Sequence, residues 1–137
     1  MGGARFTPRE LARVGYLVLN DGAWDGAYVI SRERIRTVTR RAPWLEKTTW
    51  RQPNFAREPD ANLVYGHLWW TNRTGQTLGE AAPKDAVYMS GYGKQACFVV
   101  PSLDMVVVRL GSDRTLNDHP EFYPELWKRL MSAVVRK

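Results

Sequence analysis

The sequence predicts an α+β fold: one antiparallel sheet of about three to four strands with flanking helices, in a single domain spanning residues 1–137. Three observations carry this reading. A strongly capped helical segment opens the chain, a run of β-type segments with no helix between them follows, and an amphipathic helix closes it. Apolar residues make up 44% and charged residues 25% of the 137 positions, the balance of an ordinary globular domain, which excludes disorder over most of the chain.

The first helix has the clearest local signal. Thr7-Pro8-Arg9-Glu10 supplies a hydroxyl N-cap, a proline at the first helical position and a glutamate at the third, which together make a capping box. Leu11, Val14, Leu17 and Val18 then recur at helical spacing, giving a helix over about 8–20 that stops near Gly22. Trp24-Asp25-Gly26 reads as a turn before the apolar run Ala27 to Ile30. Ser31 caps a second helix to about Thr39, with Ile35 and Val38 inward. From Arg40 to Asn62 no period holds, and Trp44, Trp50 and Phe55 among prolines and charges read as an ordered covering loop.

Leu63 to Thr71 reads as an aromatic strand, with Tyr65, His67 and Trp69 on one face. A polar turn region spans Asn72 to Lys84. Val87 to Ser90 leads through Gly91-Tyr92-Gly93-Lys94 into the strand Ala96 to Val100, and Pro101 to Asp104 reads as a tight turn. Met105 to Leu110, apolar and β-branched, reads as a central strand of the sheet. Pro124 opens the last helix, with Leu126, Leu130 and Val134 beside Trp127 and Met131 on its inner stripe.

The formal charge is +6, and fifteen of the twenty basic residues are arginines scattered from Arg5 to Arg136. Only Arg32, Arg34, Arg36, Arg40 and Arg41 cluster. Without a recognition motif they read as a solvated helix face, so nucleic acid is not the expected partner. Apolar runs such as Met105 to Val108 fall far short of the roughly 20 residues of a membrane span. No signal-peptide pattern follows Met1, which makes the cytoplasm the default expectation. A single cysteine, Cys97, leaves no internal disulfide and no cysteine-built zinc site. It reads as a small buried hydrophobe, and no metal or cofactor is expected.

Three stretches taken together, FTPRELARVGYLVLNDGAWDG, YGHLWW and SGYGKQACFVVPSLDMVVVRLG, resemble the C-terminal part of the serine β-lactamase-like hydrolases. That superfamily includes class C β-lactamases, penicillin-binding carboxypeptidases, esterases and 6-aminohexanoate-dimer hydrolases. The resemblance runs from about Gly2 to Lys137 and implies a partial β-lactamase/transpeptidase-like fold. Family members join three motifs: Ser-x-x-Lys for nucleophile and base, Tyr-x-Asn or Tyr-x-Ser for a second proton carrier, and a Lys-Thr-Gly or His-x-Gly type strand for an oxyanion-hole N–H. A serine hydroxyl needs a neighbour to take its proton, and the oxyanion needs preplaced donors, so the chemistry requires all three.

No serine in this chain has lysine three residues on, so the first motif is missing and no catalytic residue is assigned. Tyr88-Met89-Ser90 matches the second motif in letters alone, because it sits directly before the third. The third survives as Gly91-Tyr92-Gly93-Lys94, with glycine where the family carries lysine or histidine. That departure is closer to the esterase and amide-hydrolase branches than to true β-lactamases. A glycine inside a strand marks either a bulge or close approach of a ligand. The oxyanion donor would be the N–H of Tyr92 or of Lys94. Tyr65, His67 and Trp69 could line a cleft or simply pack in the core.

The resemblance therefore implies the C-terminal portion of a hydrolase that cleaves a small ester or amide through an acyl-serine intermediate, inactive by itself. Its expected partner is the missing N-terminal half, or a second copy meeting it through an exposed sheet edge. The alternative is a non-catalytic module that binds a peptide or a small acyl ligand.

Overall fold

The computed structural model describes residues 4–43, 65–111 and 119–135. Most of the aromatic loop expected between Arg40 and Asn62, including Trp44, Trp50 and Phe55, lies outside them.

Helix α1 (Pro8–Leu19) begins with the capping box expected at Thr7. The Glu10 N–H donates to Thr7 Oγ1 at 3.3 Å, while the Thr7 N–H donates back to Glu10 Oε2 at 2.8 Å. The backbone hydrogen bond from Thr7, and then its hydroxyl, hold the Glu10 carboxyl below its ordinary pKa. A lowered carboxyl pKa stabilises the helix above the ordinary value of about 4.3, and the contribution is lost as pH falls through the lowered one. Replacing Thr7 with alanine is expected to cost about 1 kcal/mol by urea denaturation at neutral pH, and less at pH 3.

Strands β1 (Ala23–Trp24) and β2 (Ala27–Tyr28) form a short hairpin. Its turn residues Asp25 and Gly26 are both left-handed, at φ 49° and 79°, the tight-turn geometry that matches strand twist. Helix α2 (Arg32–Thr39) starts where Ser31 Oγ accepts from the Arg34 N–H, and it buries Ile35. Arg32, Arg34 and Arg36 face solvent, and Asp21 receives Arg36 at 2.9 Å and Arg32 at 3.4 Å.

The main sheet contains β3 (Trp70–Thr71), β4 (Val87–Gly91), β5 (Gln95–Val100) and β6 (Met105–Arg109), all antiparallel and in that order. Helix α3 (Phe122–Ala133) follows. The α+β class, the four-stranded sheet and the flanking helices are those expected.

Alternation along the strands sends side chains to two covered faces. Tyr88, Phe98, Val100 and Val107 meet Tyr123 and Trp127 of α3, with Leu78 and Ala82 from the loop after β3. An aromatic ladder crosses this face: Tyr65 to Trp70 at 4.5 Å between ring centroids, Trp70 to Tyr88 at 6.4 Å, Tyr88 to Phe98 at 5.4 Å and Phe98 to Trp127 at 5.4 Å. On the other face Cys97 and Val106 lie under α1, where Gly15 lets the helix approach. The Cys97 thiol donates to the Leu11 carbonyl at 3.6 Å, and burial pushes its pKa up to about 11, so it is a neutral thiol at pH 7.

The loop between β3 and β4 is organised by the fully buried Asn72. Its Nδ2 donates to Ala82 O at 3.2 Å and Pro83 O at 3.0 Å, and its Oδ1 accepts from the Leu78 N–H at 3.1 Å. Asp85 fastens the far end of β5 by accepting from the Ser102 N–H at 2.6 Å.

Four expectations are corrected. The apolar strand β6 is the terminal strand among the described residues, not a central one. Its sides are apolar because α1 and α3 cover both faces, and face burial does not decide which strand is hydrogen-bonded on both edges. The aromatic strand from Leu63 reduces, within the described residues, to Trp70–Thr71. Before it the chain turns back at Gly66–Leu68, with Leu68 at φ 67° and Tyr65 bridged to Trp70. Tyr65, His67 and Trp69 therefore do not share a strand face. Gly91 is the last residue of β4, and Tyr92–Lys94 is not strand interior but the bend between β4 and β5. Helix α3 begins at Phe122, two residues before Pro124, because a missing N–H costs nothing in the first turn.

Candidate functional site

The antiparallel register gathers the sequence-predicted residues at one end of the sheet. Gly91 pairs with Gln95, Ala96 with Arg109, and Trp70 with Tyr88, so the turn before β3 and the end of β6 both lie beside the β4–β5 bend. The three-residue bend Tyr92-Gly93-Lys94 reverses the chain through left-handed Gly93 at φ 75° and Lys94 at φ 59°.

The bend is braced from behind. Arg109 donates to the Gly93 carbonyl at 2.5 Å, and its guanidinium lies 5.3 Å from the Phe122 ring centroid. The Gln95 side chain holds Gly111 at both backbone groups, accepting its N–H at 2.8 Å and donating to its carbonyl. The Lys94 ammonium sits 5.2 Å from the centroid of the Tyr123 ring. Ser90 Oγ and Tyr123 Oη share a hydrogen bond of 3.1 Å. Burial raises the Tyr123 pKa against the opposing effects of Ser90 and Arg109, so the phenol stays protonated at neutral pH. It can donate a hydrogen bond, but it is no base for Ser90.

In front of these braces Gly91 is exposed and Tyr92 leaves 72% of its surface to solvent. The two glycines differ. Gly93 is buried and sits at a positive φ that side chains disfavour, so the bend itself accounts for it. Gly91 has φ −123°, ordinary extended backbone, and a Cβ there would meet nothing nearer than Gln95 Cβ at 3.5 Å, which is normal contact. Neither backbone geometry nor internal packing requires glycine at position 91.

The turn before β3 is anchored separately. A Cβ on Gly66 would fall 2.3 Å from the Arg40 carbonyl, and the His67 N–H donates to Val38 O at 3.3 Å. Trp69 is buried, His67 and Tyr65 are half-buried, and the Tyr65 ring packs at a tilt of 58° against Trp70. These residues flank the Gly91 end of β4 as supports of the sheet's rim.

Sequence reasoning missed Arg109, Gln95 and Tyr123, which hold the bend. Arg109 had a signal: it is the one charge in MVVVRL, placed opposite the strand that leaves the glycine bend. Tyr123 had none, since its partner Ser90 is 33 residues away. Together the residues place one exposed glycine, Gly91, at a sheet corner beside a braced bend whose next residue, Tyr92, is also exposed. They include no activated nucleophile. Comparison of the chain with models of known protein families finds none that matches.

Proposed function

We propose that this chain is the substrate-strand portion of a serine hydrolase acting on a small ester or amide, with Gly91–Lys94 as the rim of the acyl pocket. The attacking serine and its lysine base come from polypeptide outside these residues. One observation carries the reading: Gly91, exposed at the end of β4, is a glycine that the fold does not need. An omitted side chain on an exposed, extended backbone leaves room for a ligand to approach the main chain. The braced bend behind it supports the reading, because oxyanion donors act only when held in place before reaction. The resemblance of SGYGKQACFVVPSLDMVVVRLG to the third motif of the β-lactamase-like hydrolases supports it independently of geometry.

The test is covalent labelling with a fluorophosphonate and with a penicillin probe, read by intact mass. The chain alone should remain unmodified. Mixed with the polypeptide encoded directly upstream, provided this carries Ser-x-x-Lys, the assembly should gain one adduct on that serine. Labelling of the 137-residue chain alone contradicts the assignment of the nucleophile elsewhere. Ligand-induced stabilisation of the lone chain, with no adduct in the assembly, selects the non-catalytic binding module instead.

A further inference from the structure

A second surface lies on the α1 side of the sheet, apart from the Gly91 bend. Between α1 and β6 runs a groove of about 450 Å³, with Tyr16, Leu19, Trp24 and Val106 in its apolar lining and Arg9 and Arg13 as its two cations. That volume falls in the roughly 300–1,000 Å³ range of small-molecule sites. Tyr16 and Trp24 meet edge to face at 5.3 Å, so one helix residue and one hairpin residue together make the aromatic side.

The lining is sorted by polarity along the helix. Arg9, Arg13, Tyr16 and Leu19 recur at helical spacing on one side of α1, the two cations first and the two apolar residues after them. At 1.5 Å per residue, Leu19 lies about 15 Å beyond Arg9 along the axis. Like charges one turn apart repel, and neither guanidinium forms a salt bridge among the described residues. Arg13 lowers the Glu10 pKa slightly, but the Glu10 carboxylate is taken by Thr7 in the capping box. Asp104, at the entry to β6, is the single acid in the lining and leaves the groove with net positive charge.

We propose that this groove binds one single-chain amphiphile with an anionic head, a medium-chain carboxylate, its head at Arg9 and Arg13 and its chain against Tyr16, Leu19 and Trp24. Both kinds of contact belong to the same lining, so a ligand with one charged end and one apolar end meets them without facing two ways. Guanidinium suits the head, because its paired N–H donors match a carboxylate. The order of polarity selects this chemistry: a cationic or neutral chain leaves two like charges unmatched, and a wholly polar anion leaves the aromatic end empty. The inference is independent of the hydrolase reading and stands or falls without any serine being labelled.

The full chain would be titrated with decanoate and with decyltrimethylammonium, both as monomers below micelle formation, and with phosphatidylglycerol vesicles, followed by calorimetry and by NMR. Decanoate should bind saturably, one per chain, and shift the Trp24 indole N–H and the backbone amides of Tyr16 and Val106. It should bind about tenfold more tightly than the ammonium compound. The double variant Arg9→Gln/Arg13→Gln, at exposed positions on α1, should keep its helical spectrum and weaken decanoate by about tenfold, the effect of two exposed ion pairs. Equal affinity for the two amphiphiles, shifts that leave Tyr16, Trp24 and Val106 untouched, an affinity unmoved in the double variant, or binding to vesicles without binding of the monomer would each overturn the proposal.

Discussion

Replacing Trp127 with alanine is expected to remove about 3–5 kcal/mol of stability, a large share of the 5–15 kcal/mol of a typical domain. Trp127 is the largest fully buried side chain, and its ring stands edge-on to Phe98 at 5.4 Å and 86°. It joins α3 to the middle of β5 in the same cluster as Leu78 and Val100. Truncation would leave a cavity between a helix and a sheet that are each fixed by other contacts, so collapse into the space is limited. Its buried indole N–H has no hydrogen-bond partner among the described residues, which makes Trp127→Phe the informative control. That change removes an unsatisfied donor along with some volume and should cost well under half as much. Urea denaturation followed by circular dichroism measures both. A loss below about 1 kcal/mol for the alanine variant would show that α3 is not packed on the sheet as described.

Gly15→Val is the second large effect. A Cβ at Gly15 would lie 2.6 Å from Val106 Cγ1 and 2.8 Å from Cys97 Sγ, both on strands held in register by their neighbours. The alanine variant should already lose about 1–3 kcal/mol despite its better helix propensity, and valine more. The sign comes from overpacking, so removing the sulfur should relieve it. Gly15→Ala combined with Cys97→Ala should be less destabilised than the sum of the single changes. A second readout comes from the thiol. Cys97 is buried beneath α1, and lifting the helix should expose it, so modification by a disulfide reagent at pH 8 should accelerate in Gly15→Val. Unchanged stability and unchanged thiol reactivity would contradict the close seating of α1.

The helices were legible in the sequence because their signals are local. Thr7 with Glu10, and Ser31, are caps whose partners lie three residues away, and the structure uses both. The sheet was legible as a class but not as an order. The β-branched run Met105–Val108 is apolar on both sides because α1 covers Val106 and the α3 cluster reaches Val107. Whether such a strand is central depends on a hydrogen-bonded neighbour that its own side chains do not encode. The alternation Tyr65, His67, Trp69 imitates a strand face. The chain turns there because Leu68 adopts a positive φ and carbonyls at the end of α2 crowd Gly66, neither of which leaves a periodic trace.

The candidate site was half legible. Glycines between two β-type runs marked where the chain reverses between β4 and β5, but strand and bend could not be told apart, because the left-handed Lys94 is a conformation that lysine seldom adopts. The braces were invisible for another reason. Arg109 and Tyr123 reach the bend from elements 16 and 33 residues away from their partners Gly93 and Ser90, and only the folded register brings them together.

The pocket-rim role proposed for Gly91 is tested most directly by Gly91→Leu in the chain reconstituted with the proposed Ser-x-x-Lys partner. The exposed position and extended backbone leave folding within about 0.5 kcal/mol of the parent, and the assembly should form as before. The rate of fluorophosphonate labelling should nevertheless fall by about 100-fold, because the new side chain fills the space an acyl group needs beside the backbone. Parent-like labelling by a folded, fully assembled Gly91→Leu protein would contradict the account.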